Sequence, residues 1–181
     1  SWEHPWFLAA LAAGRGSPER ELFWFRDGAD GPDGTLPPNR WASSFGGSAW
    51  ERVDDGQWYL HLFDVSQPDW NWDHPEVIEE FDSILRFWFD RGIDGFRIDV
   101  ADSMAKDDTL REVDEPRVPG QPAHKYPDHP HWDRDEVHQI HRRWRTIADE
   151  YNDRPGGTRM SVAEAWVTPP ERLARYLRPD E

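Results

Sequence analysis

The stretch Gly92-Ile93-Asp94-Gly95-Phe96-Arg97-Ile98-Asp99-Val100-Ala101 has the pattern of a buried strand that carries two charges. Its apolar residues alternate with Arg97 and Asp99, so the charged pair occupies one face of the strand. Apolar residues at helical spacing precede it at 77–88, which favours a β/α unit. If the sheet closes into a barrel, the charged face points inward, where charges are costly unless they are paired or functional. The stretch alone leaves two interpretations open, a structural ion pair and a reactive site.

The charge balance of the chain limits its partners. The 181 residues include 36 acidic and 21 basic side chains, for a formal net charge of −15. This balance disfavours nucleic acid or an anionic membrane as a partner and suits a neutral ligand. No apolar run approaches the ~20 residues of a membrane span. The chain has no cysteine. This excludes disulfides and thiolate chemistry and fits a reducing compartment, so we predict a cytoplasmic location.

Tryptophan is unusually frequent, with 12 residues. Trp88 and Trp144 fall on the apolar stripes of expected helices, where they would serve the core. Trp70 and Trp72 lie among Asp, Asn and Pro, where no core face is evident. Because a flat aromatic ring can stack on the C–H face of a sugar, carbohydrate is a candidate ligand, and ordinary core packing is the alternative.

Two parts of the chain differ in their pattern. Residues 1–72 hold a short helical segment, Asp-Gly turns and one expected hairpin, so we predict a small loop-rich subdomain. Residues 73–181 alternate helix, strand, helix, strand and helix. This order predicts two consecutive units of a parallel α/β fold, with strands at 92–101 and 158–164 as neighbours or near neighbours. The polar segment 102–132 is expected to form a long connecting loop of the kind that is usually functional.

Both expected strands end in a carboxylate, Asp99 and Glu164. Ligand sites of α/β folds lie at the carboxyl ends of the strands, and two such carboxylates can flank one glycosidic bond. Arg97 shares a face with Asp99 and favours the ionised carboxylate there, whereas the apolar and aromatic neighbours of Glu164 favour its protonated form. The residues therefore point to Asp99 as a nucleophile and Glu164 as an acid/base, with two unrelated surface acids as the alternative.

Five histidines raise the question of a metal site: His124, His129, His131, His138 and His141. No nearby Cys or Glu completes a recognisable zinc pattern with them. We therefore interpret them as ordinary loop and helix-surface histidines, and we predict no metal site.

Several segments together resemble one enzyme family. The segment 95–101 (GFRIDVA) resembles the nucleophile strand of the α-amylase superfamily of glycoside hydrolases, and 161–166 (SVAEAW) resembles its acid/base strand. The segment 67–71 (QPDWN) is similar to the one that marks the oligo-1,6-glucosidase and α-glucosidase branch, where Leu is usual in place of Trp70. Residues 41–50 (WASSFGGSAW) also resemble that branch, and the likeness covers nearly the whole chain.

The resemblance implies an α/β fold, a (β/α)8 TIM barrel with a subdomain inserted after its third strand. Residues 1–72 would form most of that insert, and residues 73–181 would run from about helix 3 to helix 5 of the barrel. The family's His-containing motif at strand 3 and its His-Asp pair after strand 7 have no counterpart in the chain. We therefore expect a fragment that is inactive by itself.

The resemblance also implies roles by position. Asp99 would be the nucleophile, Glu164 the general acid/base, and Arg97 the residue that holds the nucleophile ionised and oriented. The positions that would line the sugar pocket or shape the linkage subsite are Phe45, Phe63, Gln67 and Val100.

The activity implied is that of a retaining α-glucosidase, which hydrolyses short maltose- or isomaltose-type substrates through a covalent glycosyl-enzyme intermediate. Such an enzyme needs no cofactor, and the calcium that some relatives bind is held by ligands outside this stretch. Two alternatives remain. One is a transglycosylase or isomerase of the same branch, such as trehalose synthase. The other is a non-catalytic carbohydrate-binding homologue, although such proteins usually lose one of the carboxylates.

Overall fold

The structure, a computed structural model, describes residues 1–113, 128–154 and 157–181. The chain divides into two compact units. One comprises Ser1–Val77 with Asp108–His124, and the other comprises Ile78–Asp107 with Lys125–Glu181. Among the described residues no helix is long and apolar enough to cross a membrane. The boundary between an inserted subdomain and a barrel at 72/73 stays a prediction, as does the cytoplasmic location.

The first unit is built of short elements around a small antiparallel sheet. Its helices and strands are α1 (Pro5–Ala13), α2 (Pro18–Glu21), β1 (Phe25–Arg26), β2 (Trp50–Arg52) and β3 (Trp58–Leu60). The strand order is β1-β3-β2, and both pairings are antiparallel. The predicted hairpin, β2 with β3, is confirmed. The third strand, β1, is two residues long and too short to carry a periodic signal.

Tryptophan supplies much of the first unit's core. The buried cluster consists of Trp24, Trp41, Ala49, Trp50, Leu60, Leu62 and Leu110. A buried indole needs a partner for its N–H. Trp41 Nε1 donates to the Arg111 carbonyl at 3.0 Å, and Trp50 Nε1 donates to Asn39 Oδ1 at 2.7 Å. Polar atoms of nearby loops therefore satisfy the indole N–H groups of these tryptophans inside the core of a small unit.

The expectation that Trp70 lacks a core face is wrong. Its ring stacks on Phe23 with the centroids 4.5 Å apart, and it meets the rings of His4 and Trp6 edge-on. These partners come from distant parts of the chain, so the local sequence of Asp, Asn and Pro around Trp70 does not reveal them.

The second unit has the predicted alternation of helices and strands. Its elements are α3 (Pro75–Phe89), β4 (Gly95–Ile98), α4 (Val137–Asp149), β5 (Met160–Ala163) and α5 (Pro170–Leu173). Helix α3 belongs to this unit from Ile78 onward, and α5 continues into a 3-10 turn (Ala174–Leu177). Strands β4 and β5 are parallel neighbours, in a register that runs from Gly95 opposite Met160 to Ile98 opposite Ala163. The prediction of adjacent parallel strands is therefore confirmed.

Helices α3 and α4 pack on the same core of the second unit. Buried members of this core are Leu85, Phe89, Ile147, Ala148 and Tyr151, with Trp144 partly buried against them. The prediction of a core role for Trp88 is wrong, because Leu85 and Phe89 occupy the buried face of α3 and Trp88 is 45% exposed.

Strands β4 and β5 lie close together at Gly95. A Cβ atom at this position would lie 1.6 Å from the Met160 carbonyl oxygen. Any side chain larger than hydrogen would therefore push the two strands apart, and with them the residues at the strand ends.

Candidate active site

Two carboxylates stand at the same edge of the parallel pair. Asp99 follows the last residue of β4, and Glu164 follows the last residue of β5. The ladder continues past both strands: Glu164 N–H donates to the Ile98 carbonyl, and Ala101 N–H donates to the Glu164 carbonyl, each at 2.9 Å. The backbone around both carboxylates is thus fixed by sheet hydrogen bonds.

One guanidinium contacts both acids. Arg97 Nη1 forms a close ion pair with Asp99 Oδ1, and Arg97 Nη2 lies 3.4 Å from Glu164 Oε2. The Arg97 and Asp99 side chains are 61% and 68% exposed, so the group is open to solvent in the part of the chain that the structure describes. Exposed ion pairs contribute little to stability, so this one adds little to the free energy of folding.

The carboxylate of Glu164 accepts two further hydrogen bonds. Val100 N–H donates to Oε2 and Trp166 Nε1 donates to Oε1, both at 3.1 Å. The Val100 bond, followed by the Trp166 bond, lowers the pKa of Glu164; burial opposes the shift, and Asp99 and Arg97 add to it. The expectation that the surroundings of Glu164 favour its protonated form is therefore wrong for this chain. Trp166 presents its N–H, which stabilises the charged form, rather than its apolar ring face.

Val100 adopts an unusual backbone conformation next to the site. Its φ is +47°, in the left-handed region that β-branched residues rarely occupy. Such a conformation persists only where the surrounding structure enforces it. Here it accompanies the hydrogen bond from Val100 N–H to Glu164.

Comparison with known proteins places this arrangement in a family. Residues 1–181 match the family model of the alpha-amylase catalytic domain. The chain belongs to the alpha-amylase family. The parallel strands and helices of its second unit are accordingly part of a TIM barrel, as predicted from the sequence.

Several proteins of this family resemble the chain. It is 36% identical to trehalose-6-phosphate hydrolase of Bacillus subtilis over 182 residues, covering 99% of this chain and 29% of that protein. It is 43% identical to oligo-1,6-glucosidase of Halalkalibacterium halodurans over 121 residues, covering 66% of this chain and 20% of that protein. A solved structure of a trehalulose synthase mutant superimposes with a TM-score of 0.73 at 28% identity, covering 97% of this chain and 29% of that one. The chain thus spans less than a third of the length of these relatives.

Two residues of this alpha-amylase family chain were missed by sequence reasoning. Asp102 is 1% exposed, and its Oδ2 accepts the backbone N–H of Trp166 at 2.7 Å. Trp166 in turn contacts Glu164 through its indole. The segment after Val100 reads as a polar loop, so nothing marks Asp102 as buried. The spacing of two between Glu164 and Trp166 was an available signal, because alternate residues of an extended chain share a side.

The remaining predicted pocket residues belong to the first unit. Phe45 is 71% exposed and meets the ring of Phe63 at a near-perpendicular angle, with centroids 5.9 Å apart. Gln67 Oε1 accepts the backbone N–H of Asp64 at 3.2 Å. These contacts are local, and the role of the three residues in a sugar pocket stays a prediction.

The histidines are more deeply placed than predicted. His129, His131, His138 and His141 are all buried. His129 and His131 lie in a loop, as predicted, whereas the interpretation of His138 and His141 as helix-surface residues is wrong. His138 Nδ1–H donates to Glu181 Oε2 at 2.5 Å, and His141 Nε2–H donates to the Ala101 carbonyl at 2.9 Å, so tertiary partners compensate their burial. His124 lies outside the described residues. Within the described ranges, no group of three or more His, Cys, Asp or Glu side chains could hold a metal ion.

Proposed function

We propose that the protein carrying this chain is a retaining α-glucosidase that hydrolyses short α-glucosides. The observation that carries the proposal is the contact of Arg97 with both Asp99 and Glu164, two carboxylates at the ends of neighbouring parallel strands. The names of the relatives, a trehalose-6-phosphate hydrolase and an oligo-1,6-glucosidase, support a glucoside as the substrate.

The roles follow from the needs of a double displacement. Asp99 attacks the anomeric carbon while Glu164 gives its proton to the departing glycosidic oxygen, which leaves a glycosyl-enzyme ester. Glu164 then takes a proton from water, and the water oxygen displaces Asp99, which regains its charge. Retention requires the two carboxyl groups to lie ~5–5.5 Å apart, against ~6.5–9.5 Å for inversion. We expect the shorter separation in a crystal structure of the full-length protein with a bound sugar.

The lowered pKa of Glu164 sets a condition on this proposal. A proton donor must be protonated when the substrate binds, and the hydrogen bonds from Val100 and Trp166 favour the charged form instead. Removal of water by the bound sugar and by the rest of a barrel favours the neutral form. The acid role of Glu164 therefore depends on desolvation that the exposed site of this chain does not supply.

A synthase-type reaction is the second candidate. The resemblance to a trehalulose synthase favours it, and the covalent intermediate would be the same. The difference lies in the acceptor, which would be a sugar hydroxyl in place of water. A non-catalytic homologue is disfavoured because Asp99, Glu164 and Arg97 are all present.

The test is product analysis on the full-length protein with maltose, isomaltose and sucrose. We expect glucose to be released. NMR should show that the anomer of glucose formed first is α. Asp99→Asn should abolish turnover, while Asp94→Asn, which changes an exposed aspartate at the other end of β4, should not. Isomeric disaccharides as the main product would favour the synthase reaction. A first-formed β-anomer would refute retention, and no turnover of any α-glucoside would refute the proposal.

A further inference from the structure

We propose that Asp102 is a positioning residue that acts through Trp166 on the carboxylate of Glu164. This inference rests on the acid/base role proposed for Glu164. Asp102 has no place in that double displacement. Its influence would pass along a chain of two hydrogen bonds.

The first step of the chain is the anchor of the Trp166 backbone. Asp102 is almost fully buried, and its Oδ2 accepts Trp166 N–H at 2.7 Å, a length typical of a hydrogen bond to a charged acceptor. This bond joins the segment after β4 to the segment after β5. It therefore fixes the backbone from which the Trp166 side chain extends.

The second step is the indole contact with Glu164. Trp166 Nε1 donates to Glu164 Oε1 at 3.1 Å, although the residue is 61% exposed. Whether the indole N–H reaches Glu164 depends on the position of the backbone that carries the ring. The buried Asp102 thereby fixes the point from which the indole extends.

The other oxygen of Glu164 is held separately. Val100 N–H donates to Oε2, so the two carboxylate oxygens have different donors, each following a different strand. Among the described residues, the charged groups that act on Glu164 are Arg97 and Asp99, both from the end of β4. With Oε2 shared by Val100 and Arg97, the Trp166 contact at Oε1 is the one that Asp102 controls.

The experiment measures the pH dependence of kcat/KM for the full-length enzyme on a glucoside with a poor leaving group. The alkaline limb reports the loss of the proton from the acid of the free enzyme. Trp166→Phe removes the N–H donor but keeps an aromatic ring. The charged form of Glu164 is then less stabilised and its pKa rises, so the alkaline limb should move upward by about 0.5–1 pH unit. Asp102→Leu, which cannot accept the Trp166 N–H, should move the limb in the same direction.

Three further variants separate positioning from a merely structural role. Asp102→Asn keeps an acceptor oxygen and should restore the wild-type limb. The double variant with Asp102→Leu and Trp166→Phe should shift it no further than Trp166→Phe alone, because both changes act on one contact. Asp82→Asn changes another buried aspartate, paired with Arg143 on α4, and should lower stability without moving the limb.

The outcomes are distinct. If the wild-type enzyme is active and Trp166→Phe leaves the alkaline limb unmoved, the inference is overturned and the proposed function stands. If Trp166→Phe moves the alkaline limb and Asp102→Leu does not, the role of Asp102 is overturned. Additive shifts in the double variant would overturn it as well. If Asp102→Leu does not fold, Asp102→Ala takes its place, and an alkaline limb that Asp102→Ala leaves unmoved overturns that role too. A wild-type protein without glucosidase activity overturns the proposed function and this inference with it.

Discussion

The backbone N–H of Val100 donates a hydrogen bond to Oε2 of Glu164 over 3.1 Å. Val100 directly follows Asp99, so the segment that carries the proposed nucleophile also holds the proposed acid/base. Val100, whose N–H makes this hydrogen bond, has a left-handed φ. The relative placement of the two carboxylates is therefore set by one short turn of backbone as well as by the side chain of Arg97.

Glu164→Gln should affect substrates unequally. Poor leaving groups need a proton in the transition state, so their kcat/KM should fall by about 10²- to 10⁴-fold, while activated aryl glucosides should change little. The comparison is made on the full-length enzyme, with Glu171→Gln on α5 as the control. Equal losses on both classes of substrate would argue against Glu164 as the acid.

Arg97→Lys should lower kcat by about 10²- to 10³-fold, a loss comparable to that of an electrostatic donor in an active site. An ammonium group cannot contact two carboxylates with the planar geometry of a guanidinium. Arg91→Lys, at an exposed position between α3 and β4, is the matched control. A near-normal kcat for Arg97→Lys would remove the role given to this residue.

Val100→Thr should move the linkage preference from α-1,6 towards α-1,4. The family branch that the chain resembles tends to have Val here in enzymes that cut α-1,6 bonds, and Thr or Ala in those that cut α-1,4 bonds. A methyl-sized contact limits the change to about 10- to 200-fold. The measurement is the ratio of kcat/KM on isomaltose and on maltose. If the ratio stays constant, the Val100 side chain serves packing only.

Gly95→Ala should destabilise the protein strongly, by at least about 3 kcal/mol. The added methyl would meet the Met160 carbonyl, which belongs to backbone and cannot rotate away. Gly92→Ala is the control, because Gly92 has a positive φ but open space around it and should cost only about 1 kcal/mol. Chemical unfolding of the full-length protein compares the two. Similar losses of the free energy of unfolding in Gly95→Ala and Gly92→Ala would mean that β4 and β5 separate easily.

Asp55→Asn should lower stability at neutral pH but not in acid. Burial raises the pKa of Asp55, but hydrogen bonds from Arg20 and from Gln57 N–H outweigh it and leave the pKa below its ordinary value. A lowered pKa gives stability that is fully present above the unfolded value of about 3.9 and is lost as pH falls through the folded one.

The expected loss for Asp55→Asn is about 1–2 kcal/mol at pH 7, and it diminishes as the pH falls below the unfolded pKa of about 3.9. The exposed neighbour Asp54, changed to Asn, controls for net charge and should have little effect at either pH. A loss that persists unchanged at pH 3 would show that packing, and not the ion pair with Arg20, explains the effect of Asp55→Asn.

Local sequence patterns are sufficient to predict the elements of the second unit and the position of the two carboxylates along them. Alternation in β4, helical spacing in α3 and α4, and the acids directly after each strand are all local patterns. Because parallel neighbours end at the same edge of a sheet, these patterns also bring Asp99 and Glu164 together. Arg97 is part of the same signal, since it lies two residues before Asp99 on one strand face.

The electrostatic surroundings of Glu164 arise from contacts that form on folding. Its pKa depends on a left-handed turn at Val100 and on the N–H of the Trp166 indole. The spacing of two places Trp166 on the side of Glu164, but it reveals neither the turn nor the direction of the indole N–H. The burial of Asp102 and the aromatic partners of Trp70 were hidden for the same reason. A residue's periodicity reports which face it occupies, whereas its hydrogen-bond donors come from segments that folding brings to it.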